Sequence, residues 1–146
     1  LGNVDAIRER IAAKRKEQAD SFAAQEERDW LAFEAACDAH GYDACARLVL
    51  PRKIEGLPTF VVVHAAPADI VTIHRQRILK SRKDAKGLPD PIAADRAIAE
   101  VGRACIAYPD AETLAQVKEH FPTVEKDAGV IARDLSQAQA EDEGKG

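Results

Sequence analysis

Residues 4–40 form a run in which almost every residue is a good helix former, with Asn3 ahead of it as an N-cap. Gly41 supplies the left-handed stop expected just beyond a helix end. This run predicts one long N-terminal helix, and the rest of the chain must be arranged around it. The apolar spacing along it is uneven. Val4, Ile7 and Ile11 follow a 3–4 step, and so do Trp30, Phe33 and Cys37, but residues 12–29 offer only Phe22 as a large apolar group. The C-terminal third is therefore expected to dock on the domain. Residues 1–24 are expected to project as a charged helical arm, with Val4, Ile7 and Ile11 as its contact face for a partner.

Beyond Gly41 the pattern changes to β. Arg47-Leu48-Val49-Leu50 and Thr59-Phe60-Val61-Val62-Val63 are bulky or β-branched runs separated by a segment from Pro51 to Pro58 that contains Gly56. They read as an antiparallel hairpin. Phe60 and Val62 should point to one side and Val61 and Val63 to the other, so the second strand should be either covered or part of an interface. Residues 68–83 read as a helix with Pro67 at N1, against a competing strand at Ile70. Lys86-Gly87-Leu88-Pro89-Asp90 breaks the chain. Asp90 then caps a helix with Pro91 at N1, and Ala94, Ile98, Val101, Cys105 and Tyr108 make its stripe. Asp110 caps the next helix (Leu114, Val117, Phe121). Pro122-Thr123 opens a last one carrying Val124, Ala128, Ile131 and Leu135. Gly129 inside that helix costs about 1 kcal/mol relative to alanine, which a close packing contact would explain.

The expected fold is α+β: a long N-terminal helix, a β-hairpin, then a mainly helical C-terminal half. Residues 25–136 form the single domain and 137–146 an acidic, frayed tail. The 146 residues suffice for one core without metals or disulfides. Because aromatic residues are only 5%, the packing should be thin and built around Trp30, Phe33, Phe60, Tyr108 and Phe121. The longest apolar run, residues 57–68, is too short for a membrane helix. Residues 1–10 carry charges and no apolar core, so no secretory leader is expected there. Cys37, Cys45 and Cys105 are odd in number and widely spaced, and read as buried free thiols in a reducing cytoplasm.

No catalytic constellation emerges. Cys37-x2-His40-x4-Cys45 offers three metal ligands where structural zinc wants four, so neither metal nor cofactor is expected. His64 with Cys105 is a conceivable nucleophile pair, but His40, His64, His74 and His120 fall in no catalytic motif. The carboxylates sit on helix faces, caps and the tail, where solvation accounts for them. Charge is more informative. Residues 21–45 carry six acidic against one basic residue, 71–90 six basic against two acidic, and 91–146 eleven acidic against six basic. The basic segment, with Arg75, Arg77, Lys80, Arg82 and Lys83, reads as a solvated helix face or as a surface that docks to an acidic protein. The alternative is a small nucleic-acid-binding or regulatory protein using residues 75–83, although the interleaved aromatics of single-strand binders are missing.

The C-terminal half carries Cys105-Ile106-Ala107-Tyr108-Pro109-Asp110, then Leu114, then Glu119-His120-Phe121-Pro122-Thr123-Val124. This order (tyrosine-proline, helix, proline, helix), over residues 57–135, resembles the tail assembly chaperones of long-tailed bacteriophages and related prophage proteins. The resemblance implies a mainly helical factor of the host cytoplasm that binds tape-measure or tail-tube protein during assembly. It implies no catalytic or ligand residues. The expectation is thus a non-catalytic protein-binding factor, not an enzyme, with homo-oligomerisation open.

Overall fold

The computed structural model describes residues 2–81 and 90–145, and side chains within those limits up to residue 140. Elements follow in the order α1 (Gly2–His40), β1 (Cys45–Val49), β2 (Phe60–His64), α2 (Ala68–Lys80), α3 (Pro91–Cys105), β3 (Ile106–Tyr108), α4 (Ala111–His120) and α5 (Val124–Lys145). The α+β class holds: a long helix, a small antiparallel sheet and a helical C-terminal half. No helix among the described residues is long and apolar enough to cross a membrane.

The sheet has the order β1-β2-β3, so β2 is its centre. β1 pairs with β2 from Cys45 opposite His64 to Val49 opposite Phe60. β2 is covered on both faces. Val61 and Val63 enter a core cluster with Ile98, Val101, Val117 and Val124, while Phe60 and Val62 join Ala36, Cys37 and Cys45 on the other face. The sheet therefore lies between α1 on one side and the α3–α5 pair on the other. Alternation along a strand delivers both faces at once, which is why a strand buried on both sides reads as a continuous valine run.

α3 and α5 approach at two glycines. A Cβ on Gly102 would stand 1.8 Å from the Glu125 carbonyl oxygen, and one on Gly129 would stand 2.0 Å from that of Ile98. The close contact expected at Gly129 is this crossing.

Several expectations are corrected. The stripe assigned to a helix through Tyr108 splits: the helix ends at Cys105, and Ile106–Tyr108 becomes β3, paired antiparallel to β2. The residue before a proline is biased to extended backbone, and Pro109 follows Tyr108 across a cis peptide. An open β2 edge with its unpaired amides also favours a strand there. At Ile70 the helix prevails over the strand; Pro67 is the N-cap rather than N1, and α2 ends at Lys80. Trp30 is not core but 48% exposed. It lies at the margin of α1, with the Arg47 guanidinium 4.2 Å from its ring centroid and edge contacts to Phe33 and Phe60. The stretch read as a frayed tail is helical to Lys145, as its alanines and acids favour once the packed turns of α5 precede them. The break from Lys86 to Pro89 lies outside the described residues.

Candidate functional site

α2 contributes no fully buried residue, although it carries Val71, Ile78 and Leu79. It leans on α3 without closing against α5. Between the three helices runs a trough of about 870 Å³. Its floor is aliphatic, from Val71, Ile78, Ile98, Val101 and Val130, and Arg75, Lys126 and Arg133 stand at its margin. Lys126 is held by Asp95 at 3.1 Å and Arg133 only loosely by its chain neighbour Asp134 at 3.8 Å, whereas Arg75 makes no ion pair among the described residues. His74 also lines the trough, and its Nδ1 is buried with no hydrogen-bond partner among the described residues. Burial first, then the positive charges of Arg133 and Arg77, hold its pKa below the ordinary value, against a pull upward from the Ala97 carbonyl.

The residues singled out in the sequence scatter around this trough. Arg75 is on it. Arg77 is paired with Glu100 of α3, and Lys80 is exposed at the end of α2. Arg82 and Lys83 lie outside the described residues. Val4, Ile7 and Ile11 are far away on α1, 50%, 45% and 46% exposed, within a stretch (residues 2–20) that is exposed throughout. Cys37 and Cys45 share the α1-side cluster, while the His40 ring stacks on His64 at 4.1 Å. Cys105 sits in the other cluster, its thiol pushed up to about 11, chiefly by burial, which leaves it unactivated.

Two carboxylates depart from the solvated reading. Asp29 is 0% exposed. Its Oδ1 accepts from Tyr108 OH at 2.5 Å and Gln25 Nε2 at 2.8 Å, and its Oδ2 from the Thr59 amide at 2.8 Å and Thr59 Oγ1 at 2.6 Å. One side chain thus ties α1 to the entry of β2 and to β3. Burial, with the hydrogen bond to Asp29 and its charge, holds the Tyr108 phenol above its ordinary pKa. Glu125, also buried, is held below the usual carboxylate range by its bond from Arg103 at 2.8 Å, with Lys118 at 2.9 Å. The available signal for Asp29 was positional: an acid in register with Phe22, Phe33 and Ala36 on the docking face of α1. With four donors already on its two oxygens, Asp29 is a structural lock, without a lone pair left over for a substrate.

Among the described residues no three His, Cys, Asp or Glu side chains converge as a metal site. Neither protein families, nor characterised proteins, nor solved structures give a match to this chain.

Proposed function

We propose that the chain is a non-catalytic protein-binding factor that seats an acidic amphipathic helix of another protein in the trough between α2, α3 and α5. The observation that carries this reading is the meeting of an aliphatic floor, left open among the described residues, with positive charge at its margin, from Arg75 and Arg133. A helix with aliphatic side chains at 3–4 spacing would complete the half-buried face of α2, and acids flanking that stripe would meet the arginines. The resemblance to tail assembly chaperones gives the partner a class, a tape-measure or tail-tube protein, and the chain a role in tail morphogenesis. The order Tyr108-Pro109, α4, Pro122, α5 is the order on which that likeness rests.

The test is fluorescence anisotropy with a labelled amphipathic Leu/Glu helix and, as its control, a Leu/Lys helix. The acidic peptide should bind, and Arg75→Glu with Arg133→Glu should weaken it about tenfold, roughly 1.4 kcal/mol, while improving the basic one. Equal binding of both peptides, or of neither, overturns the reading. Salt-dependent binding of duplex DNA that is lost in Arg75→Ala/Arg77→Ala would put the nucleic-acid alternative in its place.

A further inference from the structure

The two ends of α1 carry surfaces of opposite character. Six of the exposed large hydrophobic residues belong to α1 or directly follow it: Val4, Ile7 and Ile11 near its start, and Trp30, Leu31 and Tyr42 near its end. At about 100° per residue, Val4, Ile7 and Ile11 fall within an arc of about 60°. Arg8, Lys14 and Arg15 border that arc, while Asp5 and Glu9 lie across the helix from it. The arm is thus an aliphatic stripe edged with positive charge.

The other end is its complement. A shallow groove of about 530 Å³ is lined by Trp30, Leu31, Phe33 and Tyr42 together with Glu27 and Glu34. Leu31 and Tyr42 are 59% and 72% exposed, and the Tyr42 hydroxyl donates to a third acid, Asp38, at 2.5 Å. Glu27 and Glu34 make no ion pair among the described residues. The lengths also agree. Residues 4–15, which carry the stripe and its bordering cations, span about 17 Å of helix, and residues 27–40 beside the groove about 20 Å, at ~1.5 Å per residue.

We infer that the arm of one copy docks head to tail in the acidic aromatic groove of a second copy of this chain. Arm against arm would confront Arg8, Lys14 and Arg15 with their own kind, which disfavours the symmetric alternative. The groove residues Glu27 and Glu34 lie on the side of α1 nearly opposite the arm stripe. One contact therefore leaves a free groove on one copy and a free arm on the other. Such a heterologous contact closes a ring or continues as a chain rather than stopping at a two-fold dimer. The inference goes beyond the trough reading and uses none of its residues.

Trp30 is the single tryptophan of the chain, so its emission reports on the groove directly. Two full-length variants make the test. One has a disabled arm (Ile7→Asp with Ile11→Asp). The other has a disabled and dark groove (Trp30→Phe with Glu27→Arg and Glu34→Arg). All the changed side chains are exposed or at the margin of α1, and circular dichroism with thermal melting checks that both variants fold. In sedimentation velocity the wild type should gain mass with concentration up to about 1 mM, and each variant alone should stay monomeric. Mixed, the two should form a 1:1 dimer and no larger species, with a blue shift of Trp30 emission that saturates. Adding Arg8→Glu, Lys14→Glu and Arg15→Glu to the dark variant should abolish that shift. A monomeric wild type across this range overturns the inference, as does mass growth that persists in either variant, or a mixture that remains monomeric.

Discussion

Gly102 of α3 and Gly129 of α5 face each other across a helix crossing so close that neither position has room for a methyl group. The atoms in the way are backbone, the Glu125 and Ile98 carbonyl oxygens, so no side-chain rotation relieves the clash. Gly129→Ala should gain about 1 kcal/mol in helix propensity yet lose overall, because the helices must part. Overpacking of this kind costs about 1–3 kcal/mol and occasionally more; with backbone in the way the upper end applies, which after the propensity gain leaves a net loss of roughly 2 kcal/mol. Gly2→Ala meets nothing within 4 Å and should be close to neutral. Urea unfolding midpoints compare the two; a Gly129→Ala protein as stable as wild type would contradict the backbone contact.

The lock at Asp29 predicts a coupled pair. Asp29→Asn places an amide donor among four donors, and a buried unsatisfied group costs about 1–3 kcal/mol, more where charge is involved. A loss of about 3 kcal/mol is expected. Tyr108→Phe removes one donor and should cost about 1.5 kcal/mol. Because the two share a bond, the double variant should lose less than the sum of the singles. Strict additivity in a double-mutant cycle would mean that the hydrogen bond contributes nothing.

Local rules made most of the fold legible. The long helix, its Gly41 stop, the hairpin, the alternation of β2 and the Asp110 cap all follow from residues adjacent or one turn apart. Asp110, for example, accepts from the Thr113 amide at 2.8 Å. What stayed hidden depends on contacts distant in sequence. Ile106–Tyr108 satisfies a helical stripe and becomes a strand only because β2 has an edge to fill. Asp29 reads as one more acid on a charged helix until Thr59 and Tyr108 are brought to it. The trough was equally illegible, since it is a gap between three helices rather than a motif, and among the described arginines and lysines of the basic segment only Arg75 lines it.

The thiols give a prediction about reactivity. Cys45 and Cys105 are each pushed up to about 11, by burial first, and for Cys45 also by the neighbouring Cys37. At pH 8 only about one Cys105 in a thousand is thiolate, and access is blocked as well. Labelling of the native protein by a disulfide reagent should therefore be slow and should accelerate with urea in step with unfolding. Stoichiometric labelling within seconds in native buffer would contradict the buried arrangement.

Acidification should weaken the fold through two histidines before the low-shifted carboxylates of Glu125 and Asp110 are protonated. His74 and His40 both have folded pKa values below the ordinary 6.5, His74 through burial and the Arg133 charge, His40 through partial burial and the charge of His64, whose ring lies 4.1 Å away. The unfolded chain therefore takes up protons first as pH falls. Their contribution to stability is full above about pH 6.5 and is lost as pH falls from there through the depressed folded values. Glu125 and Asp110, held below the usual carboxylate range, give way only at lower pH. Unfolding midpoints should decline between pH 7 and pH 5, and His74→Leu, which also removes the buried Nδ1, should flatten part of that decline. His40→Gln should flatten another part. A wild-type profile that is level over this range, or one unchanged by both substitutions, would refute the assignment. A proton on His74 also adds positive charge beside Arg133 at the trough. Binding of the acidic Leu/Glu helix should therefore strengthen over the same interval in which the free protein loses stability, and His74→Leu should remove that gain.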